Sequence, residues 1–570
     1  MYGRLLGIQV LSSAVVVANR LIDNMIIGSL ISATAIGSIG IINQAALVPA
    51  AFSGVVSMGL YSACSESMGA KAFPLAGKQL GVALALVSVV FLPLIIVLEV
   101  FCDPISAVLC ANTDAEFIAT TSAYFRGLAP SLYLSAVIPY LMYACQMNRK
   151  SHWCSVSVGI LFATNVGGDL FVATCTDWGM FGIGAATSLS ALASMVVLIG
   201  PVVSRKSPLH LRWGMSLRDF ADVSWRIVSF GLPSAVTTLS NAFAGMWINY
   251  LLLSTGDYFA VAAYTCATSV VNMLYMPASP LWYCTSIVTS LMLGKNMRGA
   301  IKQLPVAFTQ LAIGTTAIPF VIGFIFTEPL CGLFVSSQPE ILSLAVTCAH
   351  VSLFCMLPNA LITCFQSLLR STEHRIAAVA LPAVYLVGFL PLFTWVLAGL
   401  FGVPGVNAGR VAAYVMGIVV FVVICCVIKK ASPFDPSTYV FLKPLEEGFA
   451  ETDCSISRPD QIENRFAQIS GFFAKHGDPE SAKLVCKAAA ASLEALFAQA
   501  PKHAHCWVHA AMKGDQPWIQ ITGSSKVLST TLVDTLDFDD VNVTYLDFSV
   551  LRALELYTGD APYGADEDGE

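Results

Sequence analysis

The chain has 570 residues, of which 56% are hydrophobic and 12% are charged, and its formal net charge is −6. Soluble globular proteins carry about 25% charged residues, so this composition excludes an ordinary soluble protein and indicates a membrane protein. Acidic residues outnumber basic ones after Ala431, whereas basic residues are in excess before it. The sequence therefore predicts an apolar membrane part followed by an acidic soluble tail.

Successive apolar windows occupy the chain from Gly3 to Ile428. A helix needs about 20 apolar residues to cross the hydrocarbon core of a bilayer. Twelve windows meet this requirement, and no cleavage site follows the first, which we expect to remain as a span. The windows centre near Val16, Val48, Val89, Leu132, Gly159, Ala191, Leu239, Val270, Gly314, Leu353, Ala383 and Met416.

Basic residues are confined to alternate loops. Because Lys and Arg are retained on the cytoplasmic side, these loops are predicted to be internal, which places both termini in the cytoplasm of a multi-pass plasma-membrane protein. The intervening loops, among them CTDW and STGDY, have no Lys or Arg. The basic set comprises Lys71, Lys78, Arg149, Lys150, Arg205, Lys206, Arg212, Arg218, Lys295, Arg298, Lys302, Arg370 and Arg375.

The apolar part also repeats itself. YFRGLAPSLYLSAVIPYLMYACQMNRKSHW precedes a helix and then GMFGIGAATSLS, while HVSLFCMLPNALITCFQSLLRSTEHR precedes a helix and then LFGVPGVNAGRVAA. Internal repeats are typical of transporters. We predict an all-α membrane protein of two six-helix lobes, residues 1–215 and 216–430, with a cytoplasmic α+β domain and acidic tail at 431–570.

Asn165 and Asp169 form a polar pair within the fifth predicted span. A spacing of four places both side chains on one face of a helix. An isolated Asn or Thr in a span is more often a packing residue than a functional one. An intramembrane carboxylate costs a few kcal/mol to insert, which favours a functional interpretation.

Several motifs resemble one transporter family in the same order along the chain. NRLIDNMIIGSLISATAIGSIG is similar to the first helix and turn of the multidrug and toxin extrusion (MATE) transporters, VSMGLYSACSESMGA to the end of their second helix, and NVGGDLFVATCTDWGMFGIGAAT to their fifth and sixth. The resemblance covers about residues 3–430 and is strongest to the branch similar to DinF. It implies two six-helix bundles in a V that export organic solutes in exchange for Na⁺ or H⁺.

The resemblance implies that Asp23, Asn165, Asp169 and Thr187 take part in cation coupling. Helix rise places Asp23 and Asp169 about 9 Å, and Thr187 about 12 Å, below the outer ends of their helices. Their oxygen atoms suit Na⁺, or a proton if a buried carboxyl holds one. The family usually has Asn where this chain has Arg20. A guanidinium there would keep Asp23 ionised and repel Na⁺, or would instead help to bind an anionic substrate.

The seventh and tenth predicted helices contain no carboxylate. The cation chemistry of the branch similar to NorM, which is implicated at those helices, therefore does not transfer to this chain. Polar side chains remain there, and they face either the substrate cleft or a packed neighbour. They are Asn241, Asn249, Asn359 and Gln366.

Past Lys430 the sequence predicts two helices, SRPDQIENRFAQISGFFAKHG and PESAKLVCKAAAASLEALFAQA, then strands HCWVHAAM and WIQITG and a short helix at FSVLRALELY. This order weakly resembles a histidine-kinase-like ATPase fold that lacks the nucleotide-binding residues. His503, His505 and His509 alternate along a strand. A packed strand face explains them better than a metal site, because no closed ligand set is nearby.

The sequence favours a cation-coupled antiporter that exports organic solutes or drugs by alternating access. We expect no enzymatic activity and no cofactor except the coupling ion, H⁺ or Na⁺. We also expect contact with membrane lipid but not with nucleic acid, and the C-terminal domain is a candidate binding site for an unknown cytoplasmic partner. Two alternatives stay open. One is a flippase of lipid-linked oligosaccharides, which would need a basic cleft, whereas Arg20 is the only basic residue predicted to be buried. The other is a receptor that signals through the tail.

Overall fold

A computed structural model of the chain divides into two compact units, one formed by most of residues 2–438 and one by Lys295–Pro305 with Tyr439–Glu570. Each unit is described by itself below. The structure describes residues 7, 9–10, 14–15, 19, 22–23, 26, 42, 46–110, 115–148, 150–204, 207–212, 214–255, 258–294, 298–333, 339–372, 374–442, 449–456, 458–476, 479–499, 506–513, 516–524, 541–547 and 551–557.

The first lobe consists of antiparallel helices joined by short turns. All described residues from Gly7 to Ile26 are helical, as expected of a first span. The helices that follow are α1 Leu47–Gly69, α2 Phe73–Val100, α3 Cys102–Leu109, α4 Ala115–Met147, α5 Ser151–Cys175 and α6 Gly179–Val203.

The second predicted span was placed too early in the chain. Its window centres near Val48, whereas α1 runs from Leu47 to Gly69. A search for apolar windows misplaces this span because residues 55–65 include several small and polar side chains, which are buried against other helices. A span that is covered by protein needs no apolar, lipid-facing surface.

The second lobe repeats this plan with more interruptions. Its helices are α7 Leu217–Thr255, α8 Tyr258–Tyr275, α9 Leu281–Gly294, α10 Arg298–Ile325, α11 Thr327–Gly332, α12 Pro339–Leu353, α13 Met356–Ser371, α14 Arg375–Pro382, α15 Leu390–Phe401 and α16 Val403–Lys429. A π-helical segment, Ala383–Phe389, joins α14 to α15. Because proline removes a backbone hydrogen bond, Pro277 and Pro280 account for the break between α8 and α9.

Eight helices in the described part of the chain are long and apolar enough to cross a membrane. The pair α12 and α13, bent by 43° at its junction, adds a ninth if it counts as one span. The protein is therefore a multi-pass, all-α membrane protein with a small additional domain, as predicted.

The two lobes meet where α1 packs against α7 and α9. A Cβ atom at Gly231 would lie 1.8 Å from the Val55 carbonyl oxygen, and one at Gly59 would lie 1.9 Å from the Ile227 carbonyl oxygen. Only glycine permits so close an approach of two backbones. An ion pair of 2.9 Å between Arg226 and Glu66 lies on the same contact.

The C-terminal unit packs two helices on an antiparallel sheet. The helices are α17 Ile462–His476 and α18 Pro479–Gln499, and the strands are β1 Phe449–Ile456, β2 Cys506–Lys513, β3 Gln516–Ser524, β4 Asn542–Asp547 and β5 Leu551–Tyr557, in the order β1-β2-β3-β5-β4. Both predicted helices and the first two predicted strands are confirmed.

The prediction of a last short helix at FSVLRALELY is wrong, because Leu551–Tyr557 forms β5. This strand pairs with β3 on one side and β4 on the other. Leu556 is buried in the domain core beside its partner Ile519. Hydrogen bonds to two neighbouring strands override the helical propensity of leucine, alanine and glutamate.

Candidate functional site

The candidate ion site begins on α5, where one stripe of side chains faces the interior of the first lobe. Cys154, Val158, Asn165, Asp169 and Val172 are all buried on this stripe. Asp169 is 0% exposed and Asn165 1% exposed. The helix period thus places both predicted polar residues inside the protein and not in lipid.

Hydrogen bonds connect the predicted residues across three helices. The Asn19 side-chain amide donates to Asp23 Oδ2 at 3.1 Å and also to Asn165 Oδ1. In turn, Asn165 Nδ2 donates to Thr187 Oγ1 at 3.4 Å. The structure therefore brings Asp23, Asn165 and Thr187 together, and it adds Asn19 as the group that bridges the first helix and α5.

The carboxyl group of Asp169 is enclosed beside a second carboxyl group. It lies within hydrogen-bonding reach of the Asp23 side chain. Neither Asp169 oxygen accepts a hydrogen bond from an amide, hydroxyl or cationic group of the residues that the structure describes. Two adjoining carboxyl groups inside a membrane cannot both stay ionised unless a cation lies between them.

Sequence reasoning missed Asn19, although a signal was present. Asn19 precedes Asp23 by four residues, the same spacing that separates Asn165 from Asp169. The same test on the first helix would have found the second Asn-Asp pair. Arg20, whose pairing with Asp23 was predicted, lies outside the described residues.

The polar residues of the second lobe, predicted to face either a cleft or a packed neighbour, differ in burial. Gln366 is buried and donates to Thr237 Oγ1 at 2.6 Å and to the Ala378 carbonyl oxygen at 3.2 Å, which indicates a packing role. Asn241 is exposed and donates to a carbonyl oxygen of its own helix. Asn359 is half-buried on α13.

A cavity of about 530 Å³ lies between the lobes. Among the residues that the structure describes, its wall is aromatic and methionine-rich, with hydroxyl and amide groups but no charged side chain. Gln366, Asn241 and Asn359 are not part of that wall. The lining residues are Gln9, Gly54, Ser57, Met58, Tyr61, Pro139, Met142, Ser234, Asn272, Met276, Ser279, Pro280, Trp282 and Tyr283.

The expectation that Arg20 is the only buried basic residue is wrong. Arg370, assigned from the sequence to a cytoplasmic loop, is 4% exposed within α13. Its guanidinium donates to Ser367 Oγ at 3.3 Å. Hydropathy ends the predicted tenth span before Arg370. In the structure, Ser367 and the neighbouring helices accommodate the Arg370 side chain inside the lobe.

In the C-terminal unit, His509 is buried on β2 with its ring 5.2 Å from that of Trp518. His503 and His505 lie outside the described residues. In the described part of the chain, no group of three or more His, Cys, Asp or Glu side chains is arranged to hold a metal ion.

Comparison with known proteins agrees with this architecture. The chain is similar in fold to a point mutant of the Vibrio cholerae MATE transporter VcmN, with 15% identity, 76% of this chain and 97% of that chain covered, and a TM-score of 0.68. It is similar to VcmN in its bent form with 16% identity, 77% of this chain and 98% of that chain covered, and a TM-score of 0.68. It also resembles a MOP superfamily transporter from Pyrococcus furiosus, which is described as having a binding pocket of reverse polarity. The identity is 16%, the coverage is 74% of this chain and 93% of that chain, and the TM-score is 0.66. No curated protein sequence matches. The MatE family matches residues 9–170 and 233–398, more than half of the chain, and the protein is therefore a member of the MATE transporter family.

Proposed function

We propose that this membrane transporter is a cation-coupled antiporter that exports organic solutes, and that Asp23 and Asp169 bind the coupling ion. The observation that supports this proposal is the contact between two carboxyl groups on different helices within the first lobe. Repulsion between two ionised carboxylates is relieved by one proton or one Na⁺ held between them. Occupancy of the site then controls how the first helix packs on α5.

The side-chain amides of Asn19 and Asn165 position the groups around the proposed ion site. Asn19 donates one side-chain amide to Asp23 and to Asn165, so it fixes both partners in place. Asn165 reaches Thr187 on α6, which extends the network to a third helix. Loading or release of a cation changes the hydrogen-bonding demand on all three helices, and this is the local change that alternating access requires.

The cavity between the lobes provides a route for the solute. Its volume of about 530 Å³ suits a drug-sized molecule. The described residues of its wall offer apolar contact and hydrogen bonds. The similar transporter from Pyrococcus furiosus is described as having a pocket of reverse polarity, so similarity in fold does not fix the charge of the solute. That charge has to be inferred from the residues of this chain.

Export driven by an imposed ion gradient tests the proposal. In proteoliposomes, Asp23→Asn and Asp169→Asn should each abolish gradient-driven dye transport, while membrane insertion stays normal. Asp177→Asn is the matched control, since Asp177 is exposed in the turn between α5 and α6. Separate H⁺ and Na⁺ gradients identify the coupling ion. Native transport by both site variants would refute the proposal.

A further inference from the structure

The last helices of the two lobes are equivalent in detail. A glycine with positive φ, Gly179 at 53° in the first lobe and Gly402 at 64° in the second, stands where each helix begins. Three residues later, a Cβ atom at Gly182 would lie 2.5 Å from Val172, and one at Gly405 would lie 1.9 Å from Leu397. Each helix therefore packs against the preceding one through the same glycine.

This equivalence matches Thr187 with a charged residue in the second lobe. Thr187 lies eight positions after Gly179, and Arg410 lies eight positions after Gly402. The two therefore have the same depth, about 12 Å from the glycine. Where the first lobe has a hydroxyl group that accepts a hydrogen bond from Asn165, the second lobe has a guanidinium.

The neighbours of Arg410 carry no compensating charge. Its guanidinium hydrogen-bonds the hydroxyl groups of Tyr264 and Tyr414, and Cys355 is nearby. No carboxylate of the described residues lies within 4 Å of it. The helix α15, which occupies the place of α5, has no charged residue at all. At this depth the charge in the second lobe is thus opposite to that in the first.

Arg410 is on the protein-facing side of α16. Val406, Ala413, Tyr414 and Gly417, which share its face, are buried, whereas Val415 and Val419 on another face are exposed. Arg410 itself is half-buried. Part of its side chain therefore stays accessible on a helix face that packs against protein.

A guanidinium within the membrane remains charged and is costly without an anion. Tyrosine hydroxyl groups offer only dipoles, so they offset part of this cost. The Tyr414 ring beside Arg410 packs on the Tyr385 ring, with the two centroids 5.0 Å apart and the planes tilted by 43°. Such a wall complements an aromatic body, and the guanidinium complements a carboxylate or a phosphate-type oxyanion attached to it.

We propose that Arg410, with Tyr264 and Tyr414, binds the anionic group of a soluble aromatic solute that the protein exports. This inference rests on the proposed function and adds the charge of the solute to it. Outward movement of an anion and inward movement of a cation transfer charge in the same direction. An inside-negative membrane potential therefore drives both steps.

Equilibrium binding to the full chain in nanodiscs tests the site without any ion gradient. Fluorescein and a rhodamine ester are suitable probes, since they share a xanthene core and have opposite charge. Fluorescein should bind more tightly. Arg410→Gln should weaken fluorescein binding about tenfold or more and leave the rhodamine ester unchanged, while Arg410→Lys should have an intermediate effect. Arg126→Gln, on an exposed ion pair, is the control.

Two results would overturn the inference. Equal affinity for both dyes would remove the preference for anions, and equal loss of both in Arg410→Gln would make Arg410 a packing residue. Competition separates the sources of the anion: benzoate should displace fluorescein, whereas displacement only by short-chain phosphatidylglycerol would indicate a lipid headgroup and refute the soluble solute. The binding experiment applies no ion gradient, so a negative binding result does not contradict ion-coupled export. Likewise, a negative result in the gradient-driven transport assay does not contradict anion binding at Arg410.

Discussion

At the scale of single residues, the candidate site was predictable where a spacing rule applied. The interval of four between Asn165 and Asp169 places both on one helix face, and the structure has both buried there. Asn19 follows the same rule but was overlooked. Arg410 and Arg370 could not be placed from hydropathy, because their burial depends on tyrosine and serine partners from other parts of the lobe.

Removing the Asn19 amide should weaken the ion site. Asn19→Ala deletes the hydrogen bonds to Asp23 and Asn165, and a bond to a charged group contributes about 1.5–3 kcal/mol. We expect the half-saturating concentration of the coupling ion for transport to rise at least about tenfold. Asn241→Ala, which loses only a bond within its own helix, is the control. An unchanged ion dependence in Asn19→Ala would mean that the amide does not support the site.

Arg20 provides a second prediction, which comes from the sequence alone. If its guanidinium pairs with Asp23 three residues away, fixed positive charge disfavours Na⁺ at the site. Export by the native protein should then respond to a pH gradient and little to Na⁺, and Arg20→Asn should acquire Na⁺ dependence. Proteoliposome transport under separate gradients measures both. Native transport driven by Na⁺, unaltered in the variant, would place Arg20 away from the site.

At the scale of helices and strands, apolar runs predicted the order of the spans well. They did not predict the break between α8 and α9 or the bend between α12 and α13. Both interruptions lie within continuous apolar sequence, so hydropathy does not reveal them, although Pro277 and Pro280 mark the first. Strand β5 was missed for a related reason: its partners β3 and β4 are tertiary neighbours, and local propensity favours a helix.

The contact between α1 and α7 should be sensitive to a single methyl group. Gly231→Ala places a Cβ atom 1.8 Å from the Val55 carbonyl oxygen, and overpacking of this kind costs about 1–3 kcal/mol. Gly245→Ala is matched on the same helix, with nothing within 4 Å of the added atom. Thermal unfolding in detergent should show Gly231→Ala destabilised relative to Gly245→Ala. Equal melting temperatures would contradict the close packing.

At the scale of the whole molecule, the chain combines a transporter unit with a separately packed α+β unit. The second unit has its own core, in which Phe473, Leu493 and Ile519 are fully buried between helices and sheet. Its order weakly resembles a histidine-kinase-like ATPase fold, and the sequence lacks the nucleotide-binding residues of that fold.

Truncation after Lys430 tests whether transport is complete without the α+β unit. The helices that hold Asp23, Asp169 and Thr187, and every residue that lines the cavity, precede this position. We expect the truncated protein to retain ion-driven export per inserted molecule and to need no ATP. Vesicle transport normalised to membrane abundance measures this, and Asp169→Asn in the truncated chain should still abolish export. Loss of transport at normal abundance would instead make the C-terminal unit a working part of the transport cycle.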